Sequence, residues 1–175
     1  MATGWVSGLS YKHVLDARQR AANAAWLGYK HRDAIHYTQS AARWNGINHK
    51  LVAARGQFPD YADCSAFATW CLWNGLYIPY GVRDTVNGSG WCAGYTGTML
   101  QHGRVKTRLK DVRKGDCVIY GRKGTTGAHT AIVVGWNKRP SQGGHPMVIS
   151  HGSEGGPYYL AYNYRSDIMS IRRYI

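Results

Sequence analysis

Acidic residues are scarce: 9 Asp and Glu stand against 22 Lys and Arg, a formal excess of 13 positive charges over 175 residues. A field of that sign attracts polyanions, whether nucleic acid, anionic lipid or the acidic polymers of a bacterial wall, and charge alone does not choose among them. Long apolar runs are missing too. Nowhere do about 18 apolar residues follow one another, and "ATGWVSGLSYKH" after Met1 has neither a basic n-region nor a continuous apolar h-region. Neither membrane spanning nor secretion by a signal peptide is expected. Cysteine is limited to Cys64, Cys71, Cys92 and Cys117, with no paired CxxC and no dense framework, so free thiols are expected rather than a disulfide scaffold. HExxH is absent, and "GRKGTTG" sets Lys123 before its glycines, outside the phosphate-cradling order GxxxxGK[ST]. No cofactor is expected.

What is present fits one domain, residues 1–175, long enough to bury about two thirds of its extended surface. Residues 11 to 27 carry Val14, Ala17, Ala21 and Ala25 at helical spacing, with Ser10 as N-cap and Gly28 as a stop. The segment "DAIHYTQSAARWNGI" allows either a helix or a short extended piece. Residues 64 to 74 read as a second helix, capped by Asp63 and ended by Gly75. A Gly-rich connection follows, with a short helix near residues 96 to 101, and loops of that length are often functional. Then come strands: "CVIY", "HTAIVVGW", "MVISH", and one or two more in "LAYNYRSDIMSIRRYI". Helices first and a largely antiparallel sheet second make an α+β pattern.

Cys64, in "YADCSAFATWCLW", falls in the first turn of its helix, where unpaired backbone N–H groups stabilise a thiolate. A small buried core cysteine is the competing reading. As nucleophile it needs a base, and His129 opens a strand after a glycine turn, where an imidazole can face a cleft. His151 ends the strand "MVIS" and is expected to accept a hydrogen bond from the other ring nitrogen of His129, fixing its orientation. The Cys64 backbone N–H is the leading oxyanion donor, with Tyr37 as a second. Cys64, His129 and His151 also supply the donors of a three-ligand zinc site, but without HExxH or CxxC no metal is expected. A basic nucleic-acid-binding module is an alternative of another class; it lacks an RNP, KH or helix-turn-helix signature and gives these three residues no role. Asp116 reads as structural. His13, His31, His36, His49, His102 and His145 have surface settings.

The stretches "DYADCSAFATWCLWNGL", "RKGDCVIYG", "GAHTAIVVG" and "VISHGSEGG" resemble, in order, the signatures of the NlpC/P60 superfamily of papain-like cysteine peptidases and amidases, especially those of phage endolysins. The resemblance covers about residues 33 to 155. It implies a papain-like fold, with N-terminal helices packed on a central, largely antiparallel sheet. The implied activity is hydrolysis of amide bonds in the stem peptide of bacterial peptidoglycan, with an N-acetylmuramoyl-L-alanine amidase on the same fold as the alternative. A transacylase would use the same Cys-His pair. By resemblance Asp63, Cys64 and Ser65 open the catalytic helix, His129 starts the next strand, His151 supplies the third polar group, and Tyr37 borders the site with Arg43 nearby. Asp63 and Ser65 are then substrate contacts, although an N-cap and a first-turn residue explain them equally. Ala66 stands where the family has a small glycine, and the family's Gly-Gly after the tyrosine element is absent. The implied partners are peptidoglycan and anionic wall polymers, met by a monomer made in the host cytoplasm and delivered by holin-type release or in the virion.

Overall fold

The computed structural model describes residues 8–48, 50, 53–82, 85–88, 94–122, 125 and 128–175. Helix α1, Tyr11–Lys30, starts where the Ser10 hydroxyl accepts from the His13 amide at 3.2 Å. It does not stop at Gly28. A Cβ there would lie 2.5 Å from the Phe67 ring, so the glycine serves a close approach inside the helix. The ambiguous segment is both things at once: strand β1, His36–Tyr37, then helix α2, Ala42–Asn48. Strand β2, Tyr61–Ala62, pairs in parallel with β1, setting Tyr37 opposite Ala62.

Helix α3, Cys64–Tyr80, begins at Asp63, whose carboxylate accepts from the Ala66 amide at 2.8 Å. Every residue from 64 to 76 is buried, so this is a central helix with no solvent face. Gly75 lies within it. The helix runs on through Pro79 and ends at Gly81, which takes the left-handed conformation with φ 63°. A Cβ on Gly75 would stand 2.5 Å from the Ala17 carbonyl oxygen of α1, so the two backbones touch through glycine and alanine. Gly75→Ala must push them apart. The expected loss is about 1–3 kcal/mol, read as a lower denaturant midpoint at unchanged slope.

After α4, Thr96–Met99, the sheet contains β3, Arg104–Val105; β4, Cys117–Tyr120; β5, His129–Trp136; β6, Pro146–Ser150; β7, Tyr158–Ala161; and β8, Ile168–Arg173. Its order is β3-β8-β4-β5-β6-β7, and every pairing is antiparallel. Alternation along the strands splits the core in two. Ile119, Ile132 and Ile149 face α1 and α3, whereas Val118, Val133 and Val148 face a second cluster on the other side. The helix-side core takes residues from both ends of the chain, Val14 as well as Ile175. Asp116 is structural: buried, it receives Arg173 Nε and Nη2, each at 2.7 Å, and the Arg113 amide at 2.9 Å. Cys64, Cys71 and Cys117 are buried free thiols, and Cys92 and His49 lie outside the described residues. Among the described residues no helix is long and apolar enough to cross a membrane. The fold is α+β, with N-terminal helices packed against a largely antiparallel sheet.

Candidate functional site

The parallel β1–β2 pair leads the chain through Asp63 directly into α3, so Tyr37 and the first turn of α3 come together. Cys64 lines a cavity of about 220 Å³ whose walls include Arg43, Asp63, Ser65, Tyr95 and Thr96. Its backbone amide makes no hydrogen bond to a described residue, as the first turn of a helix allows. Tyr37 Oη accepts from Gln39 Nε2 at 3.1 Å, which leaves its own proton free to donate.

The helix start does not by itself lower the thiol pKa. Burial pushes Cys64 up to about 12, Asp63 adds to the rise, and the Thr130 and Ser65 amides and the Thr96 hydroxyl pull it back. Thr130 follows His129 directly on β5, so the strand that begins with this imidazole also faces the sulfur. Burial, and after it Arg165 and His151, lower His129 to about 4. The resting state at neutral pH is therefore a thiol and a neutral imidazole rather than an ion pair.

His129 Nε2 meets Ser150 Oγ at 2.5 Å, and Ser150 Oγ meets Tyr164 Oη at 3.2 Å. Expected as the partner of His129, His151 instead points to the opposite face of β6. Neither of its ring nitrogens makes a hydrogen bond to a described residue, and its ring packs 5.4 Å from Tyr37 and 5.9 Å from Phe67, centroid to centroid. The reason is strand alternation: Ser150 shares the face of Val148, and His151 that of Ile149. Burial lowers His151 to about 4 as well, against the pull of the nearby His36 carbonyl and Glu154. Glu154 ties this region together, accepting the Tyr37 amide at 2.8 Å and meeting His36 Nδ1 at 2.6 Å.

These two histidines carry a pH signature. An unfolded chain protonates imidazole near pH ~6.5, whereas the folded protein resists until about 4. Between those values the unfolded state holds more protons, so stability is highest above the window and is lost as pH falls through it. The expected loss is on the order of 3 kcal/mol per histidine. Urea midpoints measured from pH 7 to pH 4 should drop accordingly, and His151→Gln should flatten the slope; a midpoint independent of pH would contradict the buried, neutral assignment.

Asp63 is occupied on both oxygens. Oδ1 accepts from the Ala66 amide and, at 3.0 Å, from Ser65 Oγ, while Oδ2 pairs with Arg43 Nη1 at 3.0 Å. Burial raises its pKa against the opposing pull of the Ala66 amide and Arg43. Ser65 Oγ also reaches the Gly94 carbonyl at 3.2 Å, and Asn87 joins α3 to α4 by donating to Thr69 Oγ1 at 3.0 Å and accepting from Thr98 Oγ1 at 2.7 Å. Sequence reasoning singled out neither Ser150 nor Thr96. Among the described residues Cys64, His129 and His151 do not form a group that holds a metal ion.

No protein-family model matches the chain, and no curated protein matches it. Among solved structures, NlpC1 from Trichomonas vaginalis superposes with a TM-score of 0.56 at 18% identity, over 98% of this chain and 48% of that one. NlpC2 from the same organism gives 0.53 at 20% identity, over 99% and 50%. The chain thus spans about half the length of the structures it matches. At such identities the likeness concerns architecture alone: this chain has the papain-like α+β fold of NlpC-named proteins.

Proposed function

We propose that this protein is a cysteine-dependent hydrolase that cleaves amide bonds in the stem peptide of bacterial peptidoglycan, with Cys64 as nucleophile and His129 as base. The observation that carries the reading is the Cys64 thiol in the wall of a cavity, at a helix start, met by the amide of Thr130, the residue after His129 on β5. Because Ser150 engages Nε2, Nδ1 of His129 is the nitrogen left to take the thiol proton. Sulfur then attacks the amide carbonyl, and the Cys64 amide and Tyr37 hydroxyl stabilise the oxyanion. Collapse breaks the C–N bond, with the proton passing from His129 to the departing amine and the acyl group remaining on sulfur. Water, deprotonated by His129, attacks the thioester, and the expelled thiolate recovers the proton. One amide and one water become one carboxylic acid and one amine.

The whole chain acts as one catalytic unit in this reading, and its partners are peptidoglycan and the anionic polymers that accompany it. Six Lys and Arg between residues 104 and 114, set around edge strand β3, give the positive field a place on the surface. Delivery to the wall by holin-type release or in the virion is part of the proposal.

The expected inhibitor pattern follows from the chemistry. Iodoacetamide should remove wall-lytic activity, substrate should slow that loss, and a chelator should leave activity unchanged. Activity lost to chelation and restored by zinc would overturn the thiol mechanism.

A further inference from the structure

Among the described residues that line the Cys64 cavity, Arg43 and Asp63 are the charged ones, and they neutralise each other. Their side chains are 14% and 8% exposed. The remaining polar side chains described in its walls are uncharged: Gln39, Ser65, Tyr95, Thr96 and Thr125. A cleft of this kind can bind amide and hydroxyl groups by hydrogen bonding. Among the described residues it offers an ammonium no unengaged carboxylate, because both oxygens of Asp63 are taken by the Ala66 amide, the Ser65 hydroxyl and the Arg43 guanidinium. Arg43 in turn donates to the Gln39 carbonyl at 2.8 Å and stacks over the Trp44 ring at 4.8 Å, which fixes it over Asp63. Desolvating a charge without a partner is costly, so charge at this position selects against binding.

We infer that the cleft takes N-acylated, uncharged peptide and rejects a peptide with a free α-amino group at this position. This rests on the proposed function and narrows its substrate class. The substrate is then a stem peptide whose first residue is still amide-linked to its sugar, in intact glycan strands, rather than a released peptide with a free N-terminus. The Arg43–Asp63 pair sets that preference. Removing the guanidinium leaves a buried carboxylate that favours an ammonium, so the preference should reverse.

The test uses two stem peptides alike except at the N-terminus, one N-acetylated and one with the free amine, and reads the ratio of their kcat/KM values. The ratio cancels ionisations of the enzyme itself. A free α-amine titrates near ~7.7–8.0. At pH 6.5 the acetylated peptide should be preferred by at least about tenfold, with the ratio shrinking toward unity as pH rises to 9. Arg43→Gln should move the ratio at pH 6.5 at least about tenfold toward the free amine, and Arg43→Lys should preserve it. Calorimetric binding of the same two peptides to Cys64→Ala separates this inference from the reaction. Selective binding of the acetylated peptide without any turnover by the wild type would sustain the cleft's preference and refute the hydrolase. Preference for the free amine at pH 6.5, equal binding of both peptides, or a folded Arg43→Gln with an unchanged ratio would overturn the inference.

Discussion

Cys64→Ala and Cys64→Ser are each expected to reduce kcat/KM on peptidoglycan by at least about 10⁴, to the assay floor, while the circular dichroism spectrum stays unchanged. Both replacements fit the first turn of α3, because the cap there is Asp63 on the Ala66 amide and does not involve the thiol. Serine is the sharper test. It keeps a hydroxyl in the same place, but its far higher pKa leaves His129, itself a weak base at about 4, unable to activate it. A folded Cys64→Ser enzyme with near-native turnover would remove Cys64 from the chemistry and leave it as a core residue.

The second large effect belongs to His129 and to what holds it. His129→Ala should cost about 10² to 10⁴ in kcat, the usual worth of a general base. Ser150→Ala should cost less, about 10- to 100-fold in kcat with little change in KM, because the imidazole would keep its proton chemistry and lose its fixed orientation. Ser150→Thr, which restores a hydroxyl, should recover much of that loss. His151→Ala is expected to fall below Ser150→Ala in effect on kcat, since its ring contacts Tyr37 and Phe67 and makes no hydrogen bond to His129. Purified folded variants assayed on one soluble muropeptide give the order directly. If His151→Ala lost more turnover than Ser150→Ala, the orienting role would return to His151.

This reassignment shows where sequence reading stops. The strands "CVIY", "HTAIVVGW" and "MVIS" were legible because β-branched runs bounded by glycine and proline have few other homes. Which end residue of β6 meets His129 depends on register. The β5–β6 register shifts between Val133 and Gly135, so counting back along the connection does not give it. A one-residue difference selects the opposite face, which is the whole distance between Ser150 and His151.

The helices failed in a related way. Gly28 and Gly75 both carry the ordinary mark of a helix end, yet each lies inside a helix because a neighbour's ring or backbone occupies the space of its Cβ. Only tertiary packing reveals that use. The caps, by contrast, were readable locally: Ser10 and Asp63 bond to amides three residues on, a contact that needs no distant partner. The Arg43–Asp63 pair was half visible. Both residues stood near the site in the sequence, but β1–β2 pairing and helix α2 are what bring them to 3.0 Å.

The most direct measurement is mass analysis of the fragments released from purified peptidoglycan of known chemistry, with wild-type protein and Cys64→Ala treated side by side in ¹⁸O-labelled water. The account predicts that wild type releases products with one new amine and one new carboxyl end at a stem-peptide amide bond, the carboxyl carrying one labelled oxygen from the solvent, with the glycan chains intact and no release by Cys64→Ala. Fragments with cleaved glycosidic bonds, or the same peptide fragments from Cys64→Ala, would contradict it.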